Sequence, residues 1–181
     1  MKYINLKDKS FEVSIADTEI AAIVHTIAND INKTRIKDPL FIAVMNGAFL
    51  FAADVMRKIT MPNAEISFIK LSSYSGTTTT GEVSELIGIS EDISGRNIIV
   101  LEDIIDTGIT LEKIIALLKK ENVESIKIAT LLFKPEAYTK EIHIDFIGKS
   151  IPNDFVVGYG LDYDEIGRNL PHIYKLKNST C

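Results

Sequence analysis

Three carboxylates, Glu102, Asp103 and Asp106, stand within five positions of one another at the end of the apolar run Ile98, Ile99, Val100 and Leu101. Directly after them come Thr107, Gly108, Ile109 and Thr110. Glu102 and Asp103 are adjacent oxygen acceptors, suited to vicinal sugar hydroxyls or to a hard divalent cation. The turn over residues 106–110 leaves backbone N–H groups unpaired at a helix start, where the dipole favours an anion. Gly108 lets that backbone close around an oxygen, and Thr107 and Thr110 add hydroxyl donors without adding charge. A phosphate monoester suits such a turn, and acids beside it suggest a sugar phosphate with bound magnesium. An acidic pair or a Thr-Gly pair alone is usually a solvated turn or a cap, so the reading rests on the whole run. Gly-x-x-x-x-Gly-Lys is absent, and Gly158-Tyr159-Gly160 lacks the third glycine of a dinucleotide fingerprint, which disfavours ATP and NAD sites.

The elements that must hold this segment are legible from periodicity. Residues 97–101 form a short apolar strand of the kind buried in a parallel sheet, and Leu111, Ile114, Ile115 and Leu118 then mark a helix. Upstream, Ile20, Ala21, Ile23, Ile27 and Ile31 predict an amphipathic helix over 17–32, with Asp17 able to cap it. Pro39 opens a strand at 40–44 that stops at Asn46-Gly47, before a second helix through Phe51, Ala52, Val55 and Met56. Residues 66–71 and 125–133 read as further strands. Strands alternating with helices predict an α/β fold, a twisted parallel sheet flanked by helices, with ligands gathered beyond the carboxyl ends of the strands. The polar, glycine-bearing stretch that follows residue 71 predicts an exposed, mobile loop at about 71–83. After Lys134 the pattern breaks into short apolar runs, which predict a small cap from 135–181 on a single domain spanning 1–181.

Composition narrows the partners. The chain has 181 residues, 46% of them hydrophobic, enough for one substantial core. A net charge of -5 argues against a broad footprint for nucleic acid or for an anionic membrane. The start of the chain lacks the apolar core of a signal peptide and no run approaches a membrane span, so a cytoplasmic location is expected. Cys181 has no partner for an internal disulfide, and His25, His143 and His172 lack zinc-ligand spacing. All four read as ordinary structural or surface residues.

The run from Ile98 to Thr110 closely resembles the diphosphoribose-binding signature of type I phosphoribosyltransferases, in which apolar residues precede two acids and an Asp-Thr-Gly-x-Thr loop. Met45-Asn46-Gly47, Lys70 with Ser73-Tyr74, Lys134 and the block 155–163 extend the likeness, from about residue 42 to 168, toward the hypoxanthine-guanine branch of that family. The resemblance implies transfer of 5-phosphoribosyl from its 1-diphosphate to N9 of hypoxanthine or guanine, with Mg2+, in a homodimer or homotetramer. It implies that Glu102 and Asp103 hold the ribose hydroxyls and metal, joined by Asp162 at a second metal. Asp106, Thr107, Gly108, Ile109 and Thr110 would bind the 5-phosphate, and Asn46, Gly47 and Arg168 the pyrophosphate. Asp106 would also be the general base toward N7. Lys134 would donate to the 6-oxo group, Phe155 would stack on the purine, and Ile104, Val156 and Asp162 would complete its pocket. Ser73 and Tyr74 would belong to a lid over the centre.

Family members often carry a basic residue where this chain has Asn46. That leaves open any charged contribution from this position and the non-proline cis peptide the family places before it. Two other functions compete: an RNA-binding regulator on the same fold, disfavoured by the acidic balance, and a phosphoribosyltransferase for xanthine, adenine or a pyrimidine.

Overall fold

The computed structural model describes residues 3–71, 85–87 and 92–177. Its main sheet has six strands: β3 (Pro39–Val44), β4 (Glu65–Leu71), β5 (Glu85–Ile87), β6 (Asn97–Ile105), β7 (Ser125–Phe133) and β8 (Phe146–Ser150). They run in the order β5-β4-β3-β6-β7-β8, parallel throughout except for β5. Every residue of β3 is buried, as a central parallel strand covered on both faces requires. Alternation divides its side chains and those of β6. Phe41, Ala43, Ile99 and Leu101 pack under helices α1 (Asp17–Thr34) and α2 (Phe49–Met56). Leu40, Ile42, Val44, Ile98 and Val100 pack against Ile114 and Leu118 of α3 (Ile109–Lys120). The predicted parallel α/β sheet with helices on both faces is present.

Three local expectations are corrected. Asp17 is the first helical residue of α1, and Ala16 is its N-cap. The Asp17 N–H donates to His172 Nδ1 at 3.0 Å, so an imidazole from far along the chain satisfies this helix end. Within α1, Ala21 faces solvent while Val24 and Ala28 join Ile20, Ile27 and Ile31 in the core, following the 3.6-residue repeat. Strand β6 runs to Ile105 and not to Leu101, because the ladder to β7 continues through Glu102↔Thr130 and Ile105↔Phe133.

The cap is a separate antiparallel sheet in the order β1-β2-β10-β9, built from β1 (Tyr3–Leu6), β2 (Lys9–Ile15), β9 (Val156–Val157) and β10 (Ile173–Leu176). Two of its strands come from the start of the chain, beyond the expected range of 135–181. Conversely, Phe146–Ser150 lies within that range but pairs with β7 as an edge of the main sheet, in the register Ala129↔Phe146. The cap has its own small core of Phe11, Val157 and Tyr174. Among the described residues no helix is long and apolar enough to cross a membrane.

Candidate active site

The carboxyl ends of β3, β6 and β7 converge below the cap, and each carries residues singled out by the sequence. Because Glu102 and Asp103 are still in strand geometry, their side chains leave on opposite faces. Glu102 follows Val100 toward α3 and lines a hollow of about 80 Å³ with residues 104–111. Asp103 follows Leu101 toward Gly47, so close that a Cβ added at Gly47 would collide with its carboxylate. The acids flank the strand and do not stand side by side.

Both acids resist ionisation. Burial holds Glu102 well above the ordinary carboxylate range, and the charge of Asp103 adds to the rise. Burial likewise pushes Asp103 up to about 6, helped by the charge of Asp162. The backbone N–H groups of Ile104 and Asp103 and the Arg168 guanidinium pull the other way. Arg168 is itself pinned: one nitrogen donates to the Gly160 carbonyl at 2.9 Å and another lies 2.7 Å from Asp162 Oδ1. Asp103, Asp162 and Arg168 thus form one charge cluster at the junction of sheet and cap.

The turn after β6 has the shape the sequence indicates. Gly108 is the N-cap of α3 at φ 82°, a left-handed conformation that glycine adopts without penalty. The Gly108 carbonyl accepts the Glu112 N–H at 2.9 Å, and the Ile109 N–H lies 3.4 Å from Thr107 Oγ1. On the other side of β6, the turn Met45-Asn46-Gly47 contains a cis peptide between Met45 and Asn46. Gly160, at φ 101°, presses its α-carbon against the Gly47 carbonyl, leaving no room for a side chain. Tyr159 ties the same cap segment to α2, its hydroxyl donating to Asp54 Oδ2 at 2.7 Å.

Lys134 leaves the end of β7 and turns inward. It is 7% exposed, and its Nζ donates to Asp106 Oδ2 at 2.9 Å. The ladder pair Ile105↔Phe133 makes the two neighbours across the strand ends, although they are 28 positions apart. Phe155 enters from the cap, 44% exposed, with Tyr163 edge-on at 5.9 Å and Phe11 at 6.3 Å. The Phe155 carbonyl accepts the Leu176 N–H, so by antiparallel alternation the polar main-chain groups of Val156 face the open edge of the cap sheet. Ile104 is half-buried and lines the same hollow as Glu102.

Ser73 and Tyr74 lie outside the described residues. Gly160, Tyr159 with Asp54, and the aromatic neighbours Phe11 and Tyr163 are contributors that sequence reasoning missed. For Phe11 the signal existed, since Ile4, Leu6, Phe11, Val13 and Ile15 alternate at strand period.

A phosphate-shaped turn beside strand-end acids, on a parallel sheet with an antiparallel cap, defines a class. The chain belongs to the phosphoribosyl transferase domain family, whose pattern matches residues 14–164. It is 40% identical over 171 residues to a hypoxanthine phosphoribosyltransferase of Buchnera aphidicola, covering 92% of this chain and 96% of that one. It is 46% identical over 142 residues to a hypoxanthine-guanine phosphoribosyltransferase of Streptococcus pyogenes, 78% of each chain. The crystal structure of a hypoxanthine-guanine phosphoribosyltransferase from Bacillus anthracis superposes with a TM-score of 0.85 at 38% identity, covering 92% of this chain and 98% of the other. Within the family, the chain falls in the hypoxanthine(-guanine) branch.

Proposed function

We propose that this chain salvages purines, transferring 5-phosphoribosyl from 5-phosphoribosyl 1-diphosphate to N9 of hypoxanthine or guanine, with release of pyrophosphate. The observation that carries the reading is the pair formed by Asp106 and Lys134 beside the phosphate-shaped turn. The turn at 106–110 would take the 5-phosphate on its N–H groups. Phe155 would supply a flat apolar face for the base, with main-chain groups of Val156 and Asp162 at its edge. Lys134 would donate to the 6-oxo group, a contact that a 6-amino base does not reward.

Bond making and breaking then balance. The N9–C1′ bond forms as the C1′–O bond to pyrophosphate breaks, with inversion, and the proton on N7 passes to Asp106. Lys134 has three donor hydrogens, enough to serve the purine oxygen while still touching Asp106. Arg168 and the backbone at Asn46-Gly47 would meet the departing pyrophosphate, with no side-chain charge from Asn46. Exclusion of water matters because the anomeric carbon becomes cationic, and Ser73 and Tyr74 are proposed to help close the site.

The donor set suits Mg2+. Asp103 lies within electrostatic reach of Asp162, and the raised Glu102 and Asp103 are carboxylates that a cation would relieve. Among the described residues no three such side chains converge on one point. Magnesium commonly takes one or two carboxylates and fills its octahedron with water and substrate oxygens, which this arrangement allows. When bound, the metal would neutralise the diphosphate; of Glu102, Asp103 and Asp162, which the family likeness names for it, Asp103 and Asp162 lie near one another and would hold it, while Glu102 leaves on the opposite face.

A homodimer or homotetramer in the cytoplasm completes the proposal, on the strength of the family likeness and of charged substrates that do not cross membranes. The test is turnover of hypoxanthine, guanine, xanthine, adenine and uracil with the diphosphate donor and magnesium. IMP and GMP are the expected main products. Nucleotide formed only from another base, or from none, would overturn the assignment.

A further inference from the structure

The segment that follows Lys134 crosses the phosphate-shaped turn as a strap. It is anchored at one end by the Lys134 N–H on the Ile105 carbonyl at 2.9 Å. Above the turn, both the N–H and the hydroxyl of Thr139 donate to the Thr107 carbonyl, at 3.3 and 3.2 Å. Tyr138 is fixed by its hydroxyl on the Ile142 carbonyl at 2.7 Å and by an edge-on contact with Phe133. A Cβ built on Gly108 would lie 2.5 Å from the Tyr138 ring and 2.8 Å from Lys140 Cγ, so the strap lies directly on that glycine.

Charge at this spot is unusual for a phosphate subsite. Residues 106–110 contain the acid Asp106 and no cation, the position after Gly108 being Ile109. Glu112 adds a second acid in the first turn of α3. Helix side chains lean toward the N-terminus, which tilts Glu112 toward the start of α3. An acid there complements the helix dipole but opposes a bound phosphate. Lys140 Nζ donates to Glu112 Oε2 at 2.7 Å, and its side chain is 24% exposed against 54% for Glu112.

We propose that Lys140 is a positioning residue for the 5-phosphate: its stem braces Gly108, and its ammonium cancels Glu112, which would otherwise repel the phosphate. The inference rests on reading the 106–110 turn as that subsite.

The test compares the parent with Lys140→Met, Lys140→Arg and the double variant Lys140→Met/Glu112→Gln. Two quantities are read: the KM for phosphoribosyl diphosphate against kcat, and calorimetric affinity for ribose 5-phosphate. Methionine keeps the bracing stem and removes the charge. It is expected to raise that KM about threefold to tenfold, as charge effects at a helix terminus do, with kcat unchanged. Arginine, and the loss of both charges together, should return the KM to within about twofold of the parent. The effect should shrink at about 1 M salt, where the Debye length falls to about 3 Å. An unchanged KM in Lys140→Met, or a double variant as weak as the single one, overturns the role. A parent that binds ribose 5-phosphate but turns over no base sinks the functional reading, while the affinities still decide the inference. No uptake by the parent overturns both.

Discussion

Lys134 holds a buried ammonium 2.9 Å beneath the half-exposed carboxylate of Asp106. In the proposed reaction Lys134 would hold Asp106 in this hydrogen bond until a base arrives with an oxygen of its own. The 6-oxo group would then share the lysine's donors, and the carboxylate would gain freedom to accept the N7 proton. Recognition and proton removal would thereby be linked through one side chain.

Asp106→Asn removes the proposed proton acceptor and preserves the shape of the turn. Transfer should fall by about 10² to 10⁴ in the chemical step, while affinity for the sugar phosphate changes little. Rapid-quench single-turnover measurement checks this, and an unaltered rate rules out the base role.

Lys134→Gln leaves a neutral group at the proposed 6-oxo contact that can both donate and accept. Preference for 6-oxo over 6-amino bases should weaken by about tenfold or more, mostly in kcat/KM. Equal preference in variant and parent would remove Lys134 from base selection.

Gly160→Ala places a methyl group against the Gly47 carbonyl at a backbone angle that suits glycine. A loss of about 1–3 kcal/mol in stability is expected, together with a loss of activity as the Asn46-Gly47 turn is displaced. Gly95→Ala supplies the control, since Gly95 also has positive φ but open space around it. It should lose stability and keep activity; parallel losses in both would deny the Gly160–Gly47 contact a functional part.

Asp103→Asn should stabilise the ligand-free protein and disable it. The Asp103 carboxyl titrates at about 6 in the fold against an ordinary 3.8, so the folded state binds the extra proton between those values. Stability from this group therefore falls as pH rises from about 4 to 6, and at pH 7 the full cost persists. Asparagine removes a penalty of about 1–2 kcal/mol, after allowing for partial solvent access, and should raise the melting temperature by about 2–4 °C per kcal/mol. Calorimetric melts from pH 4 to 7 test this; a lower melting temperature at pH 7 would contradict the assigned cost.

What the sequence conveyed depended on how locally each feature is made. A phosphate turn is assembled from consecutive residues, so Asp106 to Thr110 could be read directly, as could the apolar strands that lead to it. Contacts across the fold could not. The pairing of Asp106 with Lys134 depends on the register of β6 and β7, and the approach of Gly160 to Gly47 on how the cap meets the sheet. The opposite orientations of Glu102 and Asp103 were hidden because the strand ends later than its apolar run. The start of the cap is concealed in the sequence, because alternating Ile4, Leu6, Phe11, Val13 and Ile15 are interleaved with charges that mask a hairpin.

The central strand pairing of the cap joins two distant stretches of the chain: β2 lies against β10, in the register Phe11↔Leu176. During synthesis, residues through β7 emerge while the hairpin β1–β2 still waits for its partner. The turn at 106–110, proposed to grip the phosphate, can therefore form before the proposed base platform exists. Only when residues 156–176 have left the exit tunnel can Phe155 be set against Phe11, so the proposed base site matures after the proposed phosphate site.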